Sequence, residues 1–223
     1  MHVECDLGVL ASKLSQRVAR LRQALNSQSN SYDAKKGVYL GYIVIEAANA
    51  WSLYARSALV SSALGARTVS GYRVTSSRGR WPSEADIIVD ATLIAKPWLG
   101  RNGRPSSIAR RDEPAWHDAY LLQSMWAGLQ LSNAQSISQA LSLGATFYAD
   151  LPPTRNFFAH KNKDTASTVV DIARRYGISP IIPFTARRRS VPDLVTSVPT
   201  GRPQSVIAEW LDELETTAEL MAM

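Results

Sequence analysis

The sequence predicts an all-α protein, a bundle of about five to seven helices interrupted by basic and proline-rich loops. Apolar residues recur at three- and four-residue spacing over long segments, which is the period of an amphipathic helix. No segment alternates apolar and polar residues for long, so no half-buried strand is expected. The 223 residues can bury a core, and an apolar fraction of 45% is typical of a folded globular chain.

The first helix is predicted over residues 6–26, where leucine and valine repeat along one face. A long second helix is predicted over residues 33–64, ending at Gly65, because glycine readily adopts the left-handed conformation that closes helices. Its apolar residues on nearly all sides indicate a central place in the bundle. Ser83 with Asp86 resembles a capping box and predicts the start of a short third helix.

In the second half of the chain, Asp112 is predicted to cap a helix, and a further helix is expected over residues 134–143. Pro152 and Pro153 are predicted to occupy the first turn of another helix, where backbone N–H groups have no helical partner in any case. That helix is expected to continue to Tyr176 and to stop at Gly177.

The domain organisation expected is a bundle over residues 1–176, followed by residues 177–223 packed on the same domain. Residues 178–203 contain five prolines and an R-R-R run and are predicted to form an extended, wrapping segment. The last helix is predicted over residues 205–221 and is acidic.

The net charge of +6 is unevenly distributed. Between Gly65 and Arg111 there are nine basic and three acidic residues, whereas residues 204–223 hold five acidic residues and no basic one. Asymmetry of this kind favours a polyanionic partner. The alternative is that the loop arginines are simply solvated.

Several classes of site and location are disfavoured by composition. Cys5 is the only cysteine, which excludes internal disulfides and a cysteine-rich zinc site and suits a reducing cytoplasm. No His, Asp and Glu residues have metal-ligand spacing, so neither a metal nor a cofactor is expected. The N-terminal residues lack the basic region of a signal peptide. The longest apolar stretch, residues 38–55, carries Glu46 and Asn49, so a buried helix is expected there rather than a membrane span.

One short motif carries candidate chemistry: T-R-N-F-F-A-H-K over residues 154–161. A histidine five to seven residues after an arginine is expected roughly once by chance in such a composition, and Arg111 to His117 fits as well. The residue type that follows the arginine is more selective, because it is the polar Asn156. We therefore take Arg155, Asn156 and His160 as the candidate catalytic residues and expect His117 to be structural.

The pattern R-N-x-x-x-H within a helical protein resembles the signature of HEPN-domain proteins. The resemblance implies a HEPN-like bundle, metal-independent cleavage of RNA, and two identical protomers that pair across a cleft. By the same analogy the protein is a bacterial toxin or anti-phage defence effector, with an antitoxin or a defence-system protein as a further partner.

Elementary chemistry agrees with this expectation. RNA carries its own nucleophile, the 2′-hydroxyl, and a neutral histidine can take up and return protons near pH 7. Arginine stays charged and its planar fork suits phosphate oxygens. Glu46, with Asn49 near it, is expected to orient a site arginine, since a buried carboxylate needs a partner. The residues expected to contact RNA are basic: Arg101, Arg104, Arg110, Arg111 and Lys161.

Two alternatives remain open on the sequence. In the first, the protein is a non-catalytic helical adaptor whose acidic C-terminal helix and basic loops dock a partner protein. His160 would then be a buried helix histidine, and Arg155 would pair with Asp150 or Glu46. In the second, the protein only binds nucleic acid, which is weaker because no helix-turn-helix or aromatic platform stands out.

Overall fold

The computed structural model describes residues 3–27, 34–178 and 191–223. Over these residues the fold is all-α, as predicted, with nine α-helices and two short 3-10 helices, and without β-strands. The helices are more numerous than expected. They are α1 (Leu7–Ser27), α2 (Ala34–Ala63), α3 (Glu84–Ala95), η1 (Pro97–Gly100), η2 (Arg110–Asp112), α4 (Ala119–Gly128), α5 (Ala134–Leu141), α6 (Phe147–His160), α7 (Lys163–Arg175), α8 (Val191–Thr196) and α9 (Val206–Ala222).

The chain forms two compact units, each built from separate stretches of sequence. This division differs from the boundary expected at residue 176. Unit 1 comprises Met1–Ser15, Trp51–Gly144 and Thr216–Met223, and unit 2 comprises Gln16–Ala50 and Ala145–Glu215.

Within the described ranges, none of the helices is both long and apolar enough to cross a membrane.

In unit 1, α3 packs on α4 and α4 packs on α5. The predicted cap of α3 is confirmed: the Asp86 N–H donates to the Ser83 hydroxyl at 3.3 Å, and that hydroxyl donates to the Asp86 carboxylate at 2.7 Å. Gly128 allows α4 to approach α3 closely, since a Cβ there would lie 2.7 Å from Ile94 Cδ1. These three helices form the base from which the basic loop over residues 96–113 extends.

The helix that Asp112 was expected to cap begins later. Asp112 lies in η2, and α4 starts at Ala119, with the Asp118 carboxylate accepting the Leu121 N–H at 3.1 Å. The reason is Pro114, because a residue before proline is driven out of the helical region. Glu113 accordingly has φ −55° and ψ 161°.

In unit 2, α6 begins before the two prolines rather than at them. The Phe147 N–H donates to Glu213 Oε2 at 2.9 Å, and the Thr146 hydroxyl donates to the same carboxylate at 3.1 Å. This cap from α9 fixes the start of α6 at Phe147. Pro152 and Pro153 therefore lie inside the helix, where each removes one backbone hydrogen bond.

The single helix expected to reach Tyr176 is two helices. At Lys161 the backbone is left-handed, with φ 46° and ψ 44°, and its N–H donates to the Phe157 carbonyl at 2.8 Å. Asn162 then caps α7, its side-chain oxygen accepting the Thr165 N–H at 2.9 Å. α6 and α7 pack on each other as a helical hairpin.

The hairpin also packs on α2, where Gly41 faces Phe158. A Cβ at Gly41 would lie 2.8 Å from the Phe158 ring, so glycine permits this close approach. Part of the segment expected to be extended is helical, namely α8. The R-R-R run over residues 187–189 and the end of the first predicted helix near residues 28–31 lie outside the described residues. The buried apolar side chains of unit 2 include Val18, Leu21, Ile43, Phe147, Leu151, Phe157, Val169, Ile172, Leu194, Trp210 and Leu214.

Candidate active site

The three residues of the motif lie on α6, and the histidine is its last residue. His160 and Asn156 are exposed, and Arg155 is half-buried. Arg155 Nη1 donates to Asn156 Oδ1 at 3.2 Å, so the amide holds the guanidinium from the neighbouring position. The motif thus presents an imidazole at the helix end and an amide-supported arginine one and a half turns before it.

The helix is continuous through the motif, which fixes the relative directions of the two catalytic candidates. Five residues on a regular helix turn through about 500°, which leaves Arg155 and His160 some 140° apart around the axis. One chain therefore does not aim both side chains at the same phosphate.

The turn that follows His160 is rich in groups that favour an anion. Lys161 and Lys163 are exposed on either side of Asn162. The first amides of a helix have no intrahelical partner, and Asn162 satisfies those of Thr165 and Ala166 only. The positive end of α7 and two lysines therefore lie within three residues of the imidazole, opposed by the exposed Asp164.

The structural alternatives for the motif do not hold in this geometry. His160 is not a buried helix histidine, and no side chain in the described ranges hydrogen-bonds its ring. Asp150, one of the two partners considered for Arg155, is paired with Arg175 of α7 instead. The polar side chains of the motif therefore do not fasten the described helices together.

The orienting role expected for Glu46 and Asn49 is not formed. Both lie on α2 and are partly exposed rather than buried. The contact between α2 and α6 is made by Gly41, and Glu46, five residues later, lies about 140° further around the helix. Over the described part of the chain, neither residue hydrogen-bonds Arg155 or His160.

A dense polar network lies at the opposite end of the hairpin. Trp210 Nε1 donates to Tyr176 Oη at 3.0 Å, and this hydroxyl donates to Thr146 Oγ1 at 2.9 Å. Thr146 in turn donates to Glu213, the cap of α6. Burial raises the pKa of Tyr176 above its ordinary value of 10.0, and the negative charge of Asp150 adds to the effect. The network is structural, because it ties α6, α7 and α9 together.

The four loop arginines expected to contact RNA are in unit 1, and they differ in how closely each is paired with a carboxylate. Arg104 donates to Asp90 Oδ1 at 3.0 Å and to Asp86 Oδ1 at 3.2 Å. The Ser83 hydroxyl and Arg104 together hold the pKa of Asp86 below its usual range. Arg104 is thus an anchor of the loop rather than a free cation.

The other three loop arginines are available to a ligand. Arg101 is exposed. Arg110 Nη1 lies 3.7 Å from a carboxylate oxygen of the nearly buried Glu113, and Arg111 Nε lies 3.7 Å from one of Asp112, while 63% and 88% of the two arginine side chains are exposed. A distance of 3.7 Å is too long for a hydrogen bond, and an exposed pair such as Arg111–Asp112 contributes little to stability. Lys161, the fifth residue expected to contact RNA, is in unit 2 beside His160.

Sequence reasoning missed one feature of the candidate site in unit 2 and one feature of the basic loop in unit 1. The turn residues Asn162 and Lys163 were not expected to end one helix and start another, although asparagine is a favoured N-cap residue. The exposed Trp98, at the start of the basic loop, was also missed, because burial of a lone tryptophan is not encoded in its neighbours.

Over the described residues, no three His, Cys, Asp or Glu side chains form a group that could hold a metal ion. A scan against protein-family models and searches of curated proteins and of solved structures find no match to this chain.

Proposed function

We propose that the protein is a homodimeric, metal-independent endoribonuclease, of the toxin or anti-phage type that the HEPN resemblance implies. The observation that carries the proposal is the exposed His160 at the junction of α6 and α7, beside two lysines and a helix N-terminus. A side chain suited to proton transfer thus lies among groups that favour a phosphate.

In the proposed reaction, the neutral His160 imidazole accepts the proton of a ribose 2′-hydroxyl while that oxygen attacks the adjacent phosphorus. The bond from phosphorus to the 5′-oxygen breaks, and the leaving oxygen receives the proton back from the His160 imidazolium, which returns to its neutral form. The products are a 2′,3′-cyclic phosphate and a 5′-hydroxyl. Arg155, supported by Asn156, and Lys161 stabilise the charge that develops on the phosphoryl oxygens.

The adaptor alternative requires an acidic C-terminal helix that is free to dock a partner. Four of the five acidic residues between Gln204 and Met223 are used within unit 2. Glu209 pairs with Arg202 at 2.6 Å, Glu213 caps α6, and Asp212 and Glu215 both pair with Arg22. This use of the carboxylates favours the ribonuclease over the adaptor.

The test is cleavage of total RNA by purified protein in EDTA, with analysis of the product ends. We expect cleavage without divalent ions and cyclic phosphate ends, and a strict requirement for Mg²⁺ would overturn the mechanism. His160→Ala should lower the rate by roughly 10²–10⁴-fold, the range for loss of a general acid–base group. The matched control is His117→Ala, on a half-buried histidine of unit 1, which should change the rate much less.

Mixing two inactive variants tests the dimer. Arg155→Ala and His160→Ala homodimers should both be inactive. If each centre takes Arg155 from one chain and His160 from the other, a mixed dimer keeps one complete centre and regains part of the activity. Absence of rescue would place both residues of a centre on one chain, and a fully active monomer would contradict the dimer.

A further inference from the structure

The basic loop, residues 96–113, is closed at its base by a lysine. Lys96 Nζ donates to the carbonyl oxygens of Asp112 and Glu113 at 2.8 and 3.0 Å. The first and last residues of the loop are therefore neighbours. Trp98 in η1 is two residues from Lys96, and Arg111 in η2 is one residue from Asp112, so both lie close in sequence to this closure.

Two further anchors fix the loop to the helices of unit 1. Arg104 in its middle is paired with Asp86 and Asp90 of α3. Glu113 at its end is nearly buried and accepts hydrogen bonds from Arg56 Nε at 3.0 Å and Trp116 Nε1 at 2.9 Å. A loop held at its base, middle and end loses little conformational entropy when it binds a ligand.

The start of the loop presents an aromatic ring and a cation together. Trp98 is 57% exposed, although tryptophan is usually highly buried. It lies in η1, and the Arg101 N–H donates to its carbonyl at 3.4 Å. Arg101 directly follows η1 with a helical backbone, and residues three apart eclipse on a 3-10 helix, so the Cβ atoms of Trp98 and Arg101 leave the turn on the same side.

The charge of the loop selects an anionic ligand. From Pro97 to Arg111 there are four arginines and no acidic residue. One of them, Arg104, is paired with carboxylates of α3. The other three, Arg101, Arg110 and Arg111, are exposed. An exposed indole on a loop that also carries three exposed arginines matches a ligand that combines flat rings with phosphates.

We infer that the basic loop binds single-stranded RNA, with one unpaired base stacked on Trp98 and the adjoining backbone phosphates held by Arg101, Arg110 and Arg111. The inference that the ligand is RNA rests on the proposed function. The preference for single strands follows from the geometry, because a base within a duplex is stacked on both faces and cannot receive the indole.

The experiment measures binding separately from cleavage. A labelled single-stranded oligoribonucleotide is titrated with full-length His160→Ala protein, and its fluorescence anisotropy is followed. Adding Trp98→Ala should weaken binding by about 5- to 150-fold, the equivalent of one lost base–aromatic stack, and Trp98→Phe should recover most of it. Tyr72→Ala, on a similarly exposed aromatic of unit 1, is the matched control and should leave binding nearly unchanged.

The salt dependence tests the phosphate contacts. Arg101→Glu should reduce the slope of log affinity against log salt by about 0.7, the value for one phosphate on a single strand. Unchanged affinity in Trp98→Ala, equal losses in Trp98→Ala and Tyr72→Ala, or equally tight binding of the same sequence as a duplex would each overturn the inference. If binding follows the prediction but wild-type protein cleaves no RNA, the ribonuclease proposal fails and the loop assignment stands.

Discussion

The two ends of the α6–α7 hairpin carry polar residues for opposite purposes. At the base, formed by residues 146–150 with Arg175 and Tyr176, the polar side chains bond to other elements of unit 2. At the tip, residues 160–163, the histidine and both lysines are exposed and form no ion pair with any described residue. The two ends are separated by about 20 Å of helix.

The difference separates residues that hold the hairpin from residues that remain free for a ligand. Base residues obtain partners from distant parts of the chain, such as Glu213 and Trp210. The tip instead contains a non-glycine residue in the left-handed region, which costs about 1 kcal/mol. Changes at the base should therefore affect stability, and changes at the tip should affect activity.

The largest stability effect is expected at the ion pair of the base. Arg175→Ala leaves the carboxylate of Asp150, with a side chain only 5% exposed, without its cation. Because Arg175 itself is 57% exposed, we expect a loss of about 2 kcal/mol in the free energy of unfolding rather than the larger cost of a fully buried pair. Chemical denaturation measures it. Arg155→Ala is the matched control and should change stability by less than about 0.5 kcal/mol, and equal losses would contradict the separation of roles.

A smaller effect is expected at Tyr176. Tyr176→Phe leaves the buried Trp210 N–H without its acceptor and removes the bond to Thr146, at a cost of about 1.5 kcal/mol near neutral pH. Cleavage per folded molecule should not change. Denaturation at a series of pH values provides the measurement.

The same variant has a pH signature. The pKa of Tyr176 is raised by burial, so its contribution to stability is fully present below the ordinary value of 10.0 and is lost as pH rises through the higher folded pKa. The stability difference between wild type and Tyr176→Phe should therefore narrow above about pH 10. A constant difference up to about pH 11 would show that Tyr176 does not ionise with a shifted pKa.

The smallest change in the free energy of unfolding, an increase rather than a loss, is expected at the tip. Lys161→Gly removes the left-handed strain and should raise the free energy of unfolding by about 0.5 kcal/mol, after allowance for the greater flexibility of glycine in the unfolded chain. RNA cleavage should nevertheless fall, because a cation beside His160 is lost. Gln130→Gly, at the other non-glycine residue with positive φ among those described, is the matched control for strain and should leave cleavage unchanged.

Much of the fold follows from local signals. The predicted bounds of α1, α2, α3 and α9 agree with the structure within about two residues where they are described. Gly65 has the left-handed φ of 86° that its position predicted. These elements are set by apolar periodicity, by serine capping and by glycine, all of which act within a few residues.

The errors arise where distant residues or uncommon backbone states decide the structure. The start of α6 is fixed by Glu213, 66 residues further along the chain, which no local pattern around Pro152 reveals. The end of α6 was missed because a lysine, not a glycine, adopts the left-handed conformation at Lys161. The position of His160 at the end of a helix, rather than in the middle of one, depends on that residue.

The sequence predicted which residue types form the candidate site and the basic loop, but not which of these side chains are already paired within the fold. The sequence grouped Arg101, Arg104, Arg110 and Arg111 as equivalent cations. The structure shows that Arg104 is held by two carboxylates of α3, a distinction that depends on the folded position of Asp86 and Asp90. The pairing expected between Glu46 and a site arginine is likewise absent, because α2 contacts α6 through the face that carries Gly41.

The lysine that closes the basic loop has an evolutionary consequence. Lys96 binds main-chain carbonyls, and carbonyls are present whatever side chains occupy positions 112 and 113. The closure of the loop by Lys96 therefore does not depend on which side chains the loop carries. Exposed residues of the loop that do not contact α3 through Arg104 or through η1 can change without opening this closure. Selection can thus change the surface that the loop presents while its attachment at Lys96 stays constant.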